Sequence, residues 1–239
     1  MINHSIKKIY LIFLLLSLFL LLPQCGLHSF PYLEPPSIER IGETFRITNT
    51  NDNPEVFRGY ELFYKFYDIG DSSGVSDDIR FITSFTQPDP RPIFTRARRF
   101  FRINTAPDIH APPTGTPNIF LGSGNRHGGF AIDIIFDGIG ISTDITFNPR
   151  LVYSGQDIPL FRDVTDPDPG VMATPNVNYK SFGNLRNINV PAAPRDQDLP
   201  MPAGEYHVTL YLWIFARGIY NNTPIFSRPV ELGNISYFR

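Results

Sequence analysis

The sequence predicts an all-β fold, a two-sheet sandwich or a closed barrel, and three observations lead there. Proline (23) and glycine (18) are dense enough to break helices and to bound short strands. Beyond residue 25 no Pro- and Gly-free window of twelve residues carries a 3.6-residue apolar period. Segments of period two recur instead, roughly ten of them, and none reads as a helix.

The chain opens on a targeting segment. Lys7 and Lys8 precede Ile9–Leu22, an apolar run of 14 residues interrupted only by Ser17. A spanning helix needs about 20 apolar residues, so this run is short, and the layout is that of a signal peptide over residues 1–24. Leu21-Leu22-Pro23-Gln24-Cys25 resembles a lipobox, with Leu22 at −3 and Gln24 as in the relaxed, spirochaete-type form. The resemblance implies cleavage before Cys25 and acylation of its thiol. Cys25 is the only cysteine, so no internal disulfide is available and the core must hold the fold alone. Two or three acyl chains anchor a protein where one is marginal, at about 0.8 kcal/mol per buried CH₂. The expected domains are a signal over 1–24, an acylated Cys25 with a Pro-rich tether over 25–37, and one sandwich over 38–239.

The strands follow in order. Phe45 and Ile47 alternate in Thr44–Thr50, and Leu62, Tyr64 and Phe66 share one side of Phe57–Tyr67. Shorter candidates are Arg80–Phe85, Arg98–Ile103, Gly129–Phe136 and Gly140–Phe147, the last two read as a hairpin turned at Asp137-Gly138. Glu205–Arg217 is the strongest, with an apolar face and an aromatic face bearing Trp213, the only tryptophan. Its aromatic face is expected to be covered by the inserted segment or by 163–204, burying Trp213. Ile225–Val230 and Asn234–Phe238 close the chain.

Pro36-Ser-Ile-Glu-Arg-Ile, the strand at Phe45, and Gly59-Tyr-Glu-Leu-Phe-Tyr-Lys65 resemble strands A, B and C of a fibronectin type III or immunoglobulin-like sandwich. Leu199-Pro-Met-Pro-Ala-Gly-Glu-Tyr206 resembles the tyrosine corner before strand F, and Ser227-Arg-Pro-Val230 the start of strand G. The resemblance implies that Tyr206 is buried and that strands C and F lie side by side. It also implies a large insertion between the C and F blocks, about 87–203, carrying a hairpin and long loops. The lipobox and FRGYELFYKFY together resemble uncharacterised spirochaete-type envelope lipoproteins, a resemblance that implies an outer-membrane location and indicates no particular activity.

Net charge is −2, near −4 once Lys7 and Lys8 are removed, which favours neither nucleic acid nor an anionic surface as the main partner. Arg96, Arg98, Arg99 and Arg102 form the only dense basic run. On a strand, Arg96, Arg98 and Arg102 would line one solvent face as an anion-binding row, against the plainer reading of a solvated edge. Leu121–Phe130 is glycine-dense but lacks the Lys and helix of a phosphate loop and reads as a flexible hairpin loop. Asp163, Asp166 and Asp168, or Asp68, Asp71, Asp77 and Asp78, offer oxygen ligands without EF-hand spacing, so no metal is assigned. Histidines are scattered and no nucleophile elbow appears; no catalytic residue, enzyme activity or cofactor is assigned. The expectation is an envelope lipoprotein held in a membrane by Cys25, its sandwich binding a protein or anionic glycan partner through loops. A structural scaffold and a carbohydrate-active hydrolase are the alternatives.

Overall fold

The computed structural model describes residues 31–68, 70–86, 88–105, 117–136, 149–163, 179–181 and 207–238. The segment expected to be a signal, 1–24, together with Cys25, Tyr206, Asp137-Gly138, Gly140–Phe147 and most of 163–204, lies outside them. In chain order the strands are β1 (Ser37–Ile41), β2 (Thr44–Thr48), β3 (Phe57–Asp68), β4 (Phe101–Asn104), β5 (Ile119–Phe120), β6 (Ala131–Ile135) and β7 (Arg150–Tyr153). β8 (Gln156–Pro159), β9 (Phe161–Asp163), β10 (Tyr179–Ser181), β11 (His207–Tyr220), β12 (Thr223–Phe226) and β13 (Val230–Phe238) follow. One helix, α1 (Ser72–Thr83), stands after β3.

These strands form two antiparallel sheets, an all-β sandwich. The smaller runs β1-β2-β6-β7-β8; the larger runs β10-β9-β4-β3-β11-β12, with β13 also on β11 and β5 also on β3. The expected C and F neighbours are present: β3 pairs with β11 from Asp68↔Val208 to Phe57↔Gly218. β1 pairs with β2. The 87–203 stretch is no appendage: β6, β7 and β8 extend the smaller sheet, and β4 and β9 extend the larger.

Alternation explains the core between the sheets. Tyr60, Leu62, Tyr64 and Phe66 stand opposite Ala216, Ile214, Leu212 and Leu210, and all are buried. Phe45, Ile47, Ile132, Ile134 and Leu151 meet them from the smaller sheet. Each fully buried Leu, Ile or Phe contributes about 1.5–3 kcal/mol, which is how a fold without a disulfide in this region holds. Asn221-Asn222 and Ser154-Gly155 take positive φ at both positions of two-residue hairpin turns, matching strand twist. Gly59 (φ 144°) admits β5, since a Cβ there would lie 2.0 Å from the Ile119 carbonyl oxygen.

Three expectations need correction. Arg80–Phe85 is no strand; residues 80–83 close α1. The helix escapes periodicity because only Ile82 and a carboxylate, Asp78, are buried on it, and Gly74 and four serines or threonines weaken its pattern. Asp71 caps it, its Oδ1 accepting from Gly74 N at 2.9 Å. Next, Arg98–Ile103 is extended only from Phe101. Pro90 and Pro92 open a helical turn, Ile93–Ala97 is wound in a π-type turn, and Arg99 stands at φ 54°. Last, the tether ends before Ser37: Leu33 is 2% exposed in the core, and Asn51 grips Glu34 through both its N–H and its carbonyl.

α1 and residues 93–100 roof the outer face of the larger sheet. Phe63, Trp213 and Phe215 of β3 and β11 pack there with Ile82, Phe94 and Phe100. Trp213 is 2% exposed, as expected. Its described cover comes from α1 and from Phe94 and Phe100, so part of the roof precedes the region read as the insertion.

Candidate interaction surface

The three arginines expected in a row point to different places. Arg96 is exposed in the π-type turn. Arg98 donates from Nη1 to Asp77 Oδ2 (2.9 Å) and Asp78 Oδ1 (3.1 Å), and its guanidinium lies 3.8 Å over the Phe81 ring. Arg102, on β4 beside Phe63, donates to Glu61 Oε2 at 2.8 Å. The strand that would have aligned them stops at Phe101. The expected alignment on one strand face is absent, and two of the three guanidiniums hold carboxylates of their own chain.

The outer face of β3 alternates charge and aromatic: Glu61, Phe63, Lys65, Tyr67. Glu61 is buried and accepts from Arg217 Nη1 of β11 and Arg102 Nη2 of β4. Burial pulls the Arg217 guanidinium below its usual range against the opposing pull of Glu61. At the other end Asp78 Oδ2 accepts from Lys65 Nζ and Tyr67 Oη, each at 2.6 Å. Burial first, then the bond to Asp78, pushes the Tyr67 phenol far above its usual range, so it stays a donor. Glu61 ties β3 to β4 and β11, and Asp78 pins α1 of the roof to β3, the task of a structural charge whose partners are supplied. The cue was visible in the sequence as charges at alternate positions of a strand otherwise aromatic.

The end of the sandwich where β2 passes to β3 has a different character. Asn49 is a buried hub: its Nδ2 donates to the carbonyls of Arg126 (2.9 Å), His127 (3.0 Å) and Asn51 (3.3 Å). Its main chain closes the same loop through Asn49 N to Phe130 O and Gly129 N to Asn49 O, both 2.8 Å. The glycine-dense segment read as a flexible loop is thus held to β2, with a short 3-10 turn over Ser123–Asn125. That framework presents Phe120, 48% exposed, with the Arg126 guanidinium 5.0 Å over its ring. Arg126 Nε donates to Leu121 O at 2.7 Å, and Arg58 Nη1 donates to the carbonyls of Pro54 and Phe57. Burial, and then the charge of Arg58, lower the Arg126 pKa. Among the described residues neither guanidinium has a carboxylate partner. Tyr32, 58% exposed, enters beside Leu33 at this same end. Sequence reasoning missed this surface because its organiser, Asn49, acts on residues 77 and 78 positions away.

No protein-family model matches this chain, and no curated protein or solved structure matches it either. Among the described residues no helix is long and apolar enough to cross a membrane, and no group of three His, Cys, Asp or Glu side chains could hold a metal ion.

Proposed function

We propose that this chain is an envelope lipoprotein, anchored by an acylated Cys25, whose immunoglobulin-like sandwich is an interaction module. The observation that carries the binding role is the loop end ordered by Asn49. A loop fixed by Asn49 donations to the carbonyls of Arg126 and His127 shows, with Arg58 of β3 beside it, an aromatic ring and two guanidiniums that have no carboxylate partner among the described residues. A surface organised beforehand loses little entropy on contact. The large sheet's own charges support the same reading from the other side, since Glu61 and Asp78 are engaged within the fold. The anchoring role is supported by the sequence: a cationic start, 14 apolar residues and Leu-Leu-Pro-Gln-Cys25. An outer-membrane location is part of the proposal and rests on the resemblance of that segment to spirochaete-type lipoproteins.

Metabolic labelling with a fatty acid tests it. The wild-type chain should carry label and sediment with membranes, and Cys25→Ser should lose both. Label retained by the Ser variant would refute the anchor. Protease treatment of intact cells then shows which face of the membrane displays the module.

A further inference from the structure

We infer that the Asn49-ordered end of the sandwich docks on the bilayer that holds the anchor, with Tyr32 and Phe120 at headgroup depth and Arg58 and Arg126 on lipid phosphates. The inference rests on the lipid-anchor reading above and names the partner of its interaction surface.

Chain geometry makes the first argument. Six residues, 26–31, separate Cys25 from Tyr32. Seven Cα–Cα steps span at most about 25 Å even when fully extended. Tyr32 does not begin a free linker, because Leu33 is in the core, Glu34 is gripped by Asn51, and Thr50 Oγ1 donates to Pro35 O at 2.8 Å. The acylated residue is therefore tied to one end of the sandwich, the end carrying Phe120 and the loop.

Composition of that end is the second. Tyr32 and Phe120 are two of the four most exposed large apolar side chains among the described residues. An aromatic ring held at a membrane interface is favourable, its apolar body in hydrocarbon and its edge in water. Phosphate is an anion that a guanidinium fork matches, and a lipid surface presents it at any lateral position. Glu34, Asp52 and Glu55 share this end, exposed, yet none lies within salt-bridge distance of Arg58 or Arg126. Their presence makes attraction to anionic lipid weak at long range, so contact depends on the anchor delivering the surface to the bilayer. A lipid chain combined with a second, weaker contact is the arrangement that turns tethering into a fixed orientation.

The opposite end gives the control. Glu43, in the turn between β1 and β2, is exposed and lies at the far end of β2 from Asn49. Acylation consumes the only thiol, so a cysteine introduced elsewhere takes a single label. The mature acylated protein, reconstituted in phosphatidylcholine–phosphatidylglycerol vesicles, would carry an environment-sensitive dye at Phe120→Cys, Tyr32→Cys or Glu43→Cys. Dye at 120 and 32 should shift to the blue and be quenched by brominated lipid, and dye at 43 should do neither. Adding Arg58→Glu and Arg126→Glu should abolish the response at 120 while Trp213 emission stays that of a buried indole. No response at 120, or an equal response at all three positions, would overturn the docking. Wild-type protein retained on heparin with no lipid response would also overturn it and assign the arginines to a soluble polyanion. Mass spectrometry of the same sample separates the two readings: an acylated Cys25 with no dye response sinks this inference alone, and an unacylated one sinks the anchor.

Discussion

Glu61 and Arg217 stand 156 residues apart in sequence and meet as a buried ion pair across β3 and β11. The pair shares the outer face of the sheet with Trp213, and Arg102 closes on the other carboxylate oxygen. Taking Glu61 away removes the carboxylate that both guanidiniums meet in low dielectric, and taking Arg217 away leaves that carboxylate to Arg102. Glu61→Gln should therefore destabilise the domain by about 3–5 kcal/mol. Arg217→Met combined with Glu61→Gln should recover much of that loss. Urea unfolding checks both, and a loss under about 1 kcal/mol for Glu61→Gln would mean the pair is not desolvated.

Alkaline stability follows from two of the buried tyrosines, Tyr60 and Tyr67. Burial raises the phenols of both Tyr60 and Tyr67, and the bond to Asp78 raises Tyr67 further. Above the unfolded value near 10 the unfolded chain loses these protons and the folded chain keeps them. Stability is therefore whole below pH 10 and falls as pH rises, by up to about 1.4 kcal/mol per pH unit for each phenol. Tyr67→Phe and Tyr60→Phe should each make the fall shallower by one proton. Denaturant titrations between pH 9 and 11 give the slopes directly.

At neutral pH the same two substitutions should part. Among the described residues the buried Tyr60 hydroxyl has no hydrogen-bond partner, and the Tyr67 hydroxyl donates to Asp78. Tyr60→Phe should be neutral or slightly stabilising, because it removes a polar group whose desolvation is uncompensated. Tyr67→Phe should cost about 1.5–3 kcal/mol, the net worth of a hydrogen bond to a charged group. Equal effects would contradict the assignment of roles.

Loop order is tested at Asn49. Asn49→Ala removes three donations and leaves the carbonyls of Asn51, Arg126 and His127 without them. Cleavage within 121–130 should become faster than in wild type, with Trp213 emission unchanged because α1 and the Phe94 cluster are remote from the loop. Unchanged cleavage would show that the main-chain bonds to Phe130 and Gly129 suffice.

What could be read from sequence was whatever alternation records. β2, β3 and β11 declared their buried faces, and the β3–β11 pairing followed from likeness to strands C and F. α1 left no apolar stripe because its buried side is held by Asp78, a carboxylate whose partners Lys65 and Arg98 come from β3 and the π-type turn. The arginine run misled for a related reason. Alternate spacing assigns faces only if the chain is extended, and the Pro90–Pro92 turn with Arg99 at positive φ winds it before β4 begins. The loop end was illegible because its order is set by Asn49 and Asn51 acting across the fold.

The most direct test of the account is the intact mass of the mature protein purified from its membrane. The account predicts a chain beginning at Cys25 and carrying diacylglycerol and acyl mass on that residue. A mature chain with the first 24 residues still attached, or with an unmodified terminus elsewhere, would contradict it.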